Sequence, residues 1–256
     1  MSALRVGAFL SARLLPFYET AARAAAAALG REPELVTGGS FENLADGSLD
    51  AAILCGLPYV MVCERDSGVQ ALAAPAADGR YGGRATYYSD IVARVGETAG
   101  RLEELAGRVL AVNEPDSHSG YNVVAHALAA RDVPTGGYAD VLLTGGHAAS
   151  VAAVRAGDAD VAAVDSHLLA ALRADDPGIE TELVVIESLG PSPSQPFAAG
   201  PGLAADERDG IRAALTGLPA VDLAPGLEGV RWLAVDDGDY DPIRQMLASS
   251  RGRVGF

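Results

Sequence analysis

The chain contains no lysine. All 19 of its basic residues are arginines, set against 34 acidic ones, and the formal net charge is -15 over 256 residues. No basic run interrupts that acidity, so a nucleic-acid backbone or an anionic membrane surface finds no electrostatic footprint to meet. A small anion is a different matter, because exposed charges are screened beyond about 8 Å and a local cluster of donors outweighs a distant net charge. Cysteine is scarce as well. Cys55 and Cys63 stand in an apolar stretch, give neither a disulfide framework nor a metal-ligand spacing, and read as small core hydrophobes. Long hydrophobic runs are missing: the stretch from Asp50 to Val62 is broken by Gly56 and Pro58, far short of the roughly 20 apolar residues of a membrane span. No Walker A loop, GxGxxG after a strand, HExxH or GxSxG is present, and no metal or cofactor is called for. The first ten residues carry no basic n-region, h-region, cleavage site or lipobox cysteine, so the chain as written is expected in the cytoplasm, and outside it if the native start lies upstream.

What remains is a chain that is 49% hydrophobic and 21% charged, long enough for one large domain or two small lobes. Strands alternate with helices along it. Leu4 to Leu10, Glu34 to Thr37 and Leu49 to Cys55 read as strands, with an Ala-rich helix over Leu14 to Leu29 and a short one after Ser40. Thr86 to Val95 is a longer strand. A second series follows: strands at Arg108–Val112, Val141–Leu143, Val161–Val164 and Glu182–Glu187, with helices over Ser119–Ala130, Ala148–Ala156 and His167–Arg173. Asp206–Leu215 and Pro242–Leu247 read as helices. Continuous apolar strands between helices predict an α/β fold with mainly parallel sheets.

Three successive strands of the second series end in polar residues just before a helix: Asn113 to Tyr121, Thr144-Gly145-Gly146-His147, and Asp165-Ser166-His167. Backbone N–H groups at a helix N-terminus, with serine hydroxyls beside them, suit an oxyanion; the competing reading is that Ser117 or Ser119 only caps the helix, worth about 1 kcal/mol. Ligands of open parallel sheets bind outside the carboxyl ends of the strands, so three such turns in series are expected to converge on one site. Tyr87 and Ser89 alternate onto one strand face, which would be the ligand face, leaving Tyr88 for the core. His126 and His167 read as bystanders, and the acidic string Asp236 to Asp241 lacks calcium-loop spacing and reads as a solvated turn.

Five segments together resemble the phosphonate/phosphate/phosphite substrate-binding proteins of ABC importers, a group with the type II periplasmic-binding-protein fold: Cys55-Gly56-Leu57-Pro58-Tyr59-Val60, Tyr87-Tyr88-Ser89-Asp90, Glu114 to Tyr121, Gly145-Gly146-His147 and Asp158 to Asp165. The resemblance spans about Leu4 to Leu215. It implies two lobes around a hinged cleft, residues 1–91 with 187–256 forming one and residues 92–186 the other, joined by crossovers near Asp90–Val95 and Glu187–Pro191. It implies that Ser117, His118 (through its backbone N–H) and Ser119 hold a tetrahedral oxyanion. His147 and Asp165 would complete the set, with Tyr59 and Tyr87 reaching in from the facing lobe. The partners implied are the small anion and, if the chain is exported, an ABC permease. A solute-binding or sensor protein is therefore the leading expectation, and a cytoplasmic enzyme of the same fold, with His147 or Asp165 moving protons, is the rival. The acidic residue that takes the amine of an aminoalkylphosphonate has no counterpart that can be placed here.

Overall fold

In the computed structural model, residues 2–65, 68–133 and 140–250 are described. The chain opens with β1 (Leu4–Ala8), α1 (Leu15–Ala28), β2 (Pro33–Thr37), α2 (Glu42–Ala45), β3 (Ala51–Ile53), α3 (Gly56–Cys63) and β4 (Gln70–Ala76). It continues with β5 (Thr86–Arg94), β6 (Val109–Val112), a π-helical turn (His118–Asn122) running into α4 (Val123–Ala130), β7 (Asp140–Leu143), α5 (His147–Ala156), β8 (Val161–Asp165), α6 (Ser166–Asp175), α7 (Gly178–Glu182) and β9 (Leu183–Pro193). The last elements are β10 (Phe197–Ala199), α8 (Ala205–Thr216), β11 (Arg231–Ala234) and α9 (Asp241–Ser250). By packing, the chain divides into two units, one of Met1–Thr86 with Pro193–Asp241, the other of Tyr87–Ser192 with Pro242–Phe256.

Each unit is built on its own sheet. The first has the order β11-β4-β10-β3-β1-β2 and the second β7-β6-β8-β5-β9, so among the described residues 100–180 share no sheet with 4–60, and a single continuous doubly wound sheet is excluded. The expectation of mainly parallel sheets needs correction. β1 runs parallel to β2 and β3, and β6 to β7 and β8, but β10 is antiparallel to β3 and β4, β11 to β4, and β5 to β8. Both sheets are mixed, because helical crossovers set their neighbours parallel whereas β5, β10 and β11 enter from outside the βα series.

In the first unit, α1 presents Ala21, Ala22, Ala25 and Ala26 to a core that includes Leu4, Val6, Ile53, Phe197 and Trp232. A face of methyl-sized side chains lets a helix approach a sheet closely. In the second unit the sheet is covered on both faces, and strand alternation divides the residues between them. Ile91, Val161 and Ala163 join one cluster with α4, while Val92, Ala162 and Val164 join another with Val151 and Val154 of α5. That double coverage is why β8 reads as an unbroken apolar run. Among the described residues no helix is long and apolar enough to cross a membrane.

Candidate functional site

The end of β6 leads through Asn113 into the loop that Ser117 closes. The Ser117 hydroxyl oxygen accepts from Gly120 N–H at 3.1 Å, so this serine does cap the helix. Asn122 N–H reaches back five residues to the Ser117 carbonyl at 3.0 Å, which widens the first turn into a π-helix. A Cβ at Gly120 would fall 1.6 Å from Asn113 Oδ1 and 3.2 Å from His147 Cε1, so any other residue there has to displace the Asn113 side chain. From β5, Ser89 donates its hydroxyl to the Ser119 carbonyl at 2.6 Å, fixing the turn from the sheet side. The first-turn N–H groups of such a helix have no carbonyl within the helix to meet, and the peptide dipoles add positive potential at the same place.

His147 opens α5, directly after Gly145 in left-handed backbone at φ +77° and an extended Gly146. Gly145 N–H donates to the Asn113 carbonyl at 2.9 Å, which ties the end of β7 to the end of β6. The imidazole Nδ1–H donates to the Ala163 carbonyl of β8 at 3.1 Å. That bond sets the tautomer, leaving Nε2 to accept from the Ser119 hydroxyl at 2.9 Å. Burial pushes the His147 pKa down to about 4, against the opposing pull of the Ala163 carbonyl. His118 is a second neutral imidazole: Asn122 Nδ2 donates to its Nδ1 at 3.1 Å, and its Nε2–H donates to Ser192 Oγ at 2.9 Å. Burial first, then the charge of His126, brings its pKa down to about 3.

The Ser117–Ser119 turn and His147 thus lie together, joined by the Ser119–His147 bond. Asp165 stands opposite Ser89 in the β5–β8 register. Its Oδ1 accepts from the N–H groups of His167 and Leu168 at 2.8 and 3.1 Å, so it caps α6. Tyr87 is 1% exposed, with its ring 6.5 Å from His118 and 6.0 Å from His167, whereas Tyr88 is half-buried. Alternation did pair Tyr87 with Ser89, but that face is the packed one. Tyr59 lies in the other unit and is fully buried. It donates to Asp237 Oδ1 at 2.9 Å, accepts from Ala71 N–H at 3.1 Å, and lies 4.7 Å from the Tyr240 ring. Its hydroxyl is thereby occupied in holding α3 to β4. The acidic string folds as a short 3-10 turn in which Asp236 and Asp239 cap each other's backbone. Sequence reasoning missed Asn113 as a member of the cluster; a lone asparagine at a strand end carries no spacing that would reveal it.

Residues 11–240 match the family described as ABC transporter, phosphonate, periplasmic substrate-binding protein, and the chain belongs to that family. No curated protein matches it. Among solved structures, it is similar to the binding protein of an ABC phosphonate transporter from Pseudomonas aeruginosa, at 18% identity and a TM-score of 0.79 over 98% of this chain and 87% of that one. PhnD1 of Prochlorococcus marinus, solved with methylphosphonate, aligns at 14% identity and a TM-score of 0.77 over 95% and 96% of the two chains. A protein of Xanthomonas citri solved with ATP gives 19% identity and a TM-score of 0.67 over 98% of each chain. These likenesses establish the fold.

Proposed function

We propose that the protein binds a small tetrahedral oxyanion (phosphate, phosphite or an organophosphonate) as a solute-binding or sensor protein. The observation that carries this reading is the serine turn at the head of α4, clasped to His147 by a 2.9 Å bond from Ser119. Phosphoryl oxygens need several donors converging from different elements, and here the N-terminal turn ahead of α4 and the imidazole of α5 meet within one hydrogen bond. Family membership supports the same ligand class, and methylphosphonate in PhnD1 of Prochlorococcus marinus is a ligand of that chemistry. Ser117, Ser119, the backbone of His118 and His147 would contact the anion, with Asp165 orienting α6 at its edge. In a periplasmic setting the second partner would be an ABC permease.

A second reading draws on the same bond. A serine hydroxyl donating to a neutral imidazole is the arrangement of a nucleophile and its base, so an enzyme acting on a small anionic substrate is the alternative. Titration calorimetry against phosphate, phosphite, methylphosphonate and sulfate separates the two. Micromolar binding, about -8 kcal/mol, with the ligand recovered unchanged supports the binder. Failure of all four anions to bind overturns it.

A further inference from the structure

Around the imidazole of His147 the donors and acceptors do not balance. Nδ1–H is spent on the Ala163 carbonyl, which leaves one lone pair on Nε2. Two donors converge on it, the Ser119 hydroxyl at 2.9 Å and Asn113 Nδ2 at 3.4 Å. At the other end of the same amide, Asn113 Oδ1 is buried and accepts no hydrogen bond among the described residues. It is pressed against Gly120 instead, where a Cβ would lie 1.6 Å away. One lone pair therefore faces two donors while a buried acceptor beside them goes unused, an arrangement that costs free energy as it stands. One change relieves Nε2 and gives the amide oxygen a partner, at the cost of turning Nδ2 toward Gly120. If Nε2 gains a proton and the Asn113 amide turns over, Nε2–H donates to Oδ1 where Nδ2 had been, and the Ser119 hydrogen is released.

We propose that the turn takes its anion together with one proton, which is bound on His147 Nε2 and accepted by Asn113, making Asn113 the positioning residue that couples protonation to anion binding. The inference rests on reading the turn as an anion site. Without the proton, the one hydrogen of Ser119 is given to His147 and the one N–H of His147 is given to Ala163, so neither has a hydrogen to give to a ligand. With it, Ser119 turns to the anion and a positive charge stands next to it. By linkage the anion strengthens proton binding as much as the proton strengthens anion binding. Burial holds His147 neutral at pH 7, so the proton has to come with the ligand or from solvent. The ionisable side chains on the segments around His147 are Glu114, Asp116, His118 and Tyr121 after β6, Asp140 on β7, Arg155 in the last turn of α5, Asp158 and Asp160 before β8, Asp165 at its end and His167 beyond it, and Asp90 and Arg94 on β5. The groups on the imidazole nitrogens themselves are Ser119, Asn113 and the Ala163 carbonyl.

The test is nitrogen NMR of the histidine rings in the full chain at pH 7, with and without saturating methylphosphonate, His147 being assigned by the signals lost in His147→Gln. The expected result is one bare ring nitrogen on His147 in the free protein and loss of that signal in the complex, where both nitrogens are protonated. In Asn113→Asp, a fixed acceptor replaces the amide, so His147 is expected to carry its second proton before any ligand is added. A His147 that stays neutral in the methylphosphonate complex overturns the coupling while leaving the anion site in place. An Asn113→Asp protein that binds methylphosphonate but keeps a neutral His147 when empty removes Asn113 from the device. If calorimetry shows no binding of methylphosphonate, phosphate or phosphite, the coupling and the reading beneath it fall together.

Discussion

Gly120 is the residue on which the serine turn depends most. A methyl group there would press on Asn113 Oδ1 and His147 Cε1, and overpacking a tight site costs about 1–3 kcal/mol. Gly120→Ala is therefore expected to lower thermal stability and abolish anion binding, and Asn113→Ala added to it should recover part of the stability, as melting curves of the single and double variants would show. Asp165 gives a second residue-scale prediction. As a cap accepting from His167 and Leu168, it is replaceable by Asn with little loss, whereas Asp165→Ala should cost about 1 kcal/mol. If it also meets a protonated ligand oxygen, Asp165→Asn will relax selection toward sulfate at unchanged stability; unchanged phosphate affinity and sulfate rejection would confine it to capping. The two serines and His147 could be read from the sequence because each falls in a polar cluster between a strand and a helix. Asn113 could not, since its role arises from Gly120 and from an imidazole 34 positions away.

At the scale of elements, the long helices and the second βα series were readable because their apolar periodicity is strong. Others were hidden. α3 begins at Gly56 with Pro58 in its first turn and continues the apolar run of β3, so periodicity alone could not divide strand from helix. β4 has the sequence QALAAPA, poor in β-branched and aromatic residues, and β10 is only Phe-Ala-Ala. These strands exist because neighbours on both sides pair with them, which is information no local window contains. Tyr59 shows how such elements are joined. Tyr59→Phe leaves Asp237 and Ala71 N–H without this hydroxyl, so a loss of about 1–3 kcal/mol is expected, read from a urea midpoint. Methylphosphonate affinity should stay unchanged in that variant; a drop of tenfold or more would return Tyr59 to the ligand.

For the whole molecule, the distribution of histidine separates the two units. All four histidines fall in the second unit, and the sole tryptophan, Trp232, is in the first. His118 titrates near 3 when folded, against an ordinary 6.5, so between those values the unfolded chain binds more protons than the folded one. Its contribution to stability is complete above about pH 6.5 and is lost as pH falls toward 3, and His147 acts in the same sense. Glu187, held below its ordinary 4.5 chiefly by Arg131, adds a loss that sets in only as pH falls below that value. Between pH 6.5 and 5 the second unit should weaken while the first does not. Urea unfolding followed by tryptophan fluorescence should keep its midpoint over that range as the far-ultraviolet circular dichroism transition moves to lower urea. Coincident shifts of both signals would show instead that the units unfold as one.

The sheet order carries one more consequence, for the way the chain is made. β10 lies between β3 and β4 in the first sheet, so the first 86 residues leave the ribosome with a gap in the middle of their sheet that stays open until Phe197 to Ala199 are synthesised. The second unit waits longer, since Met246 of α9 packs against the cluster that includes Leu110 and Val124. Folding of a nascent chain usually proceeds from the N-terminus as domains emerge. Here neither unit can be completed in that order: β1, β2 and β3 can pair with one another, but the facing edges of β3 and β4 must stay open to proteases and to chaperones until β10 is made.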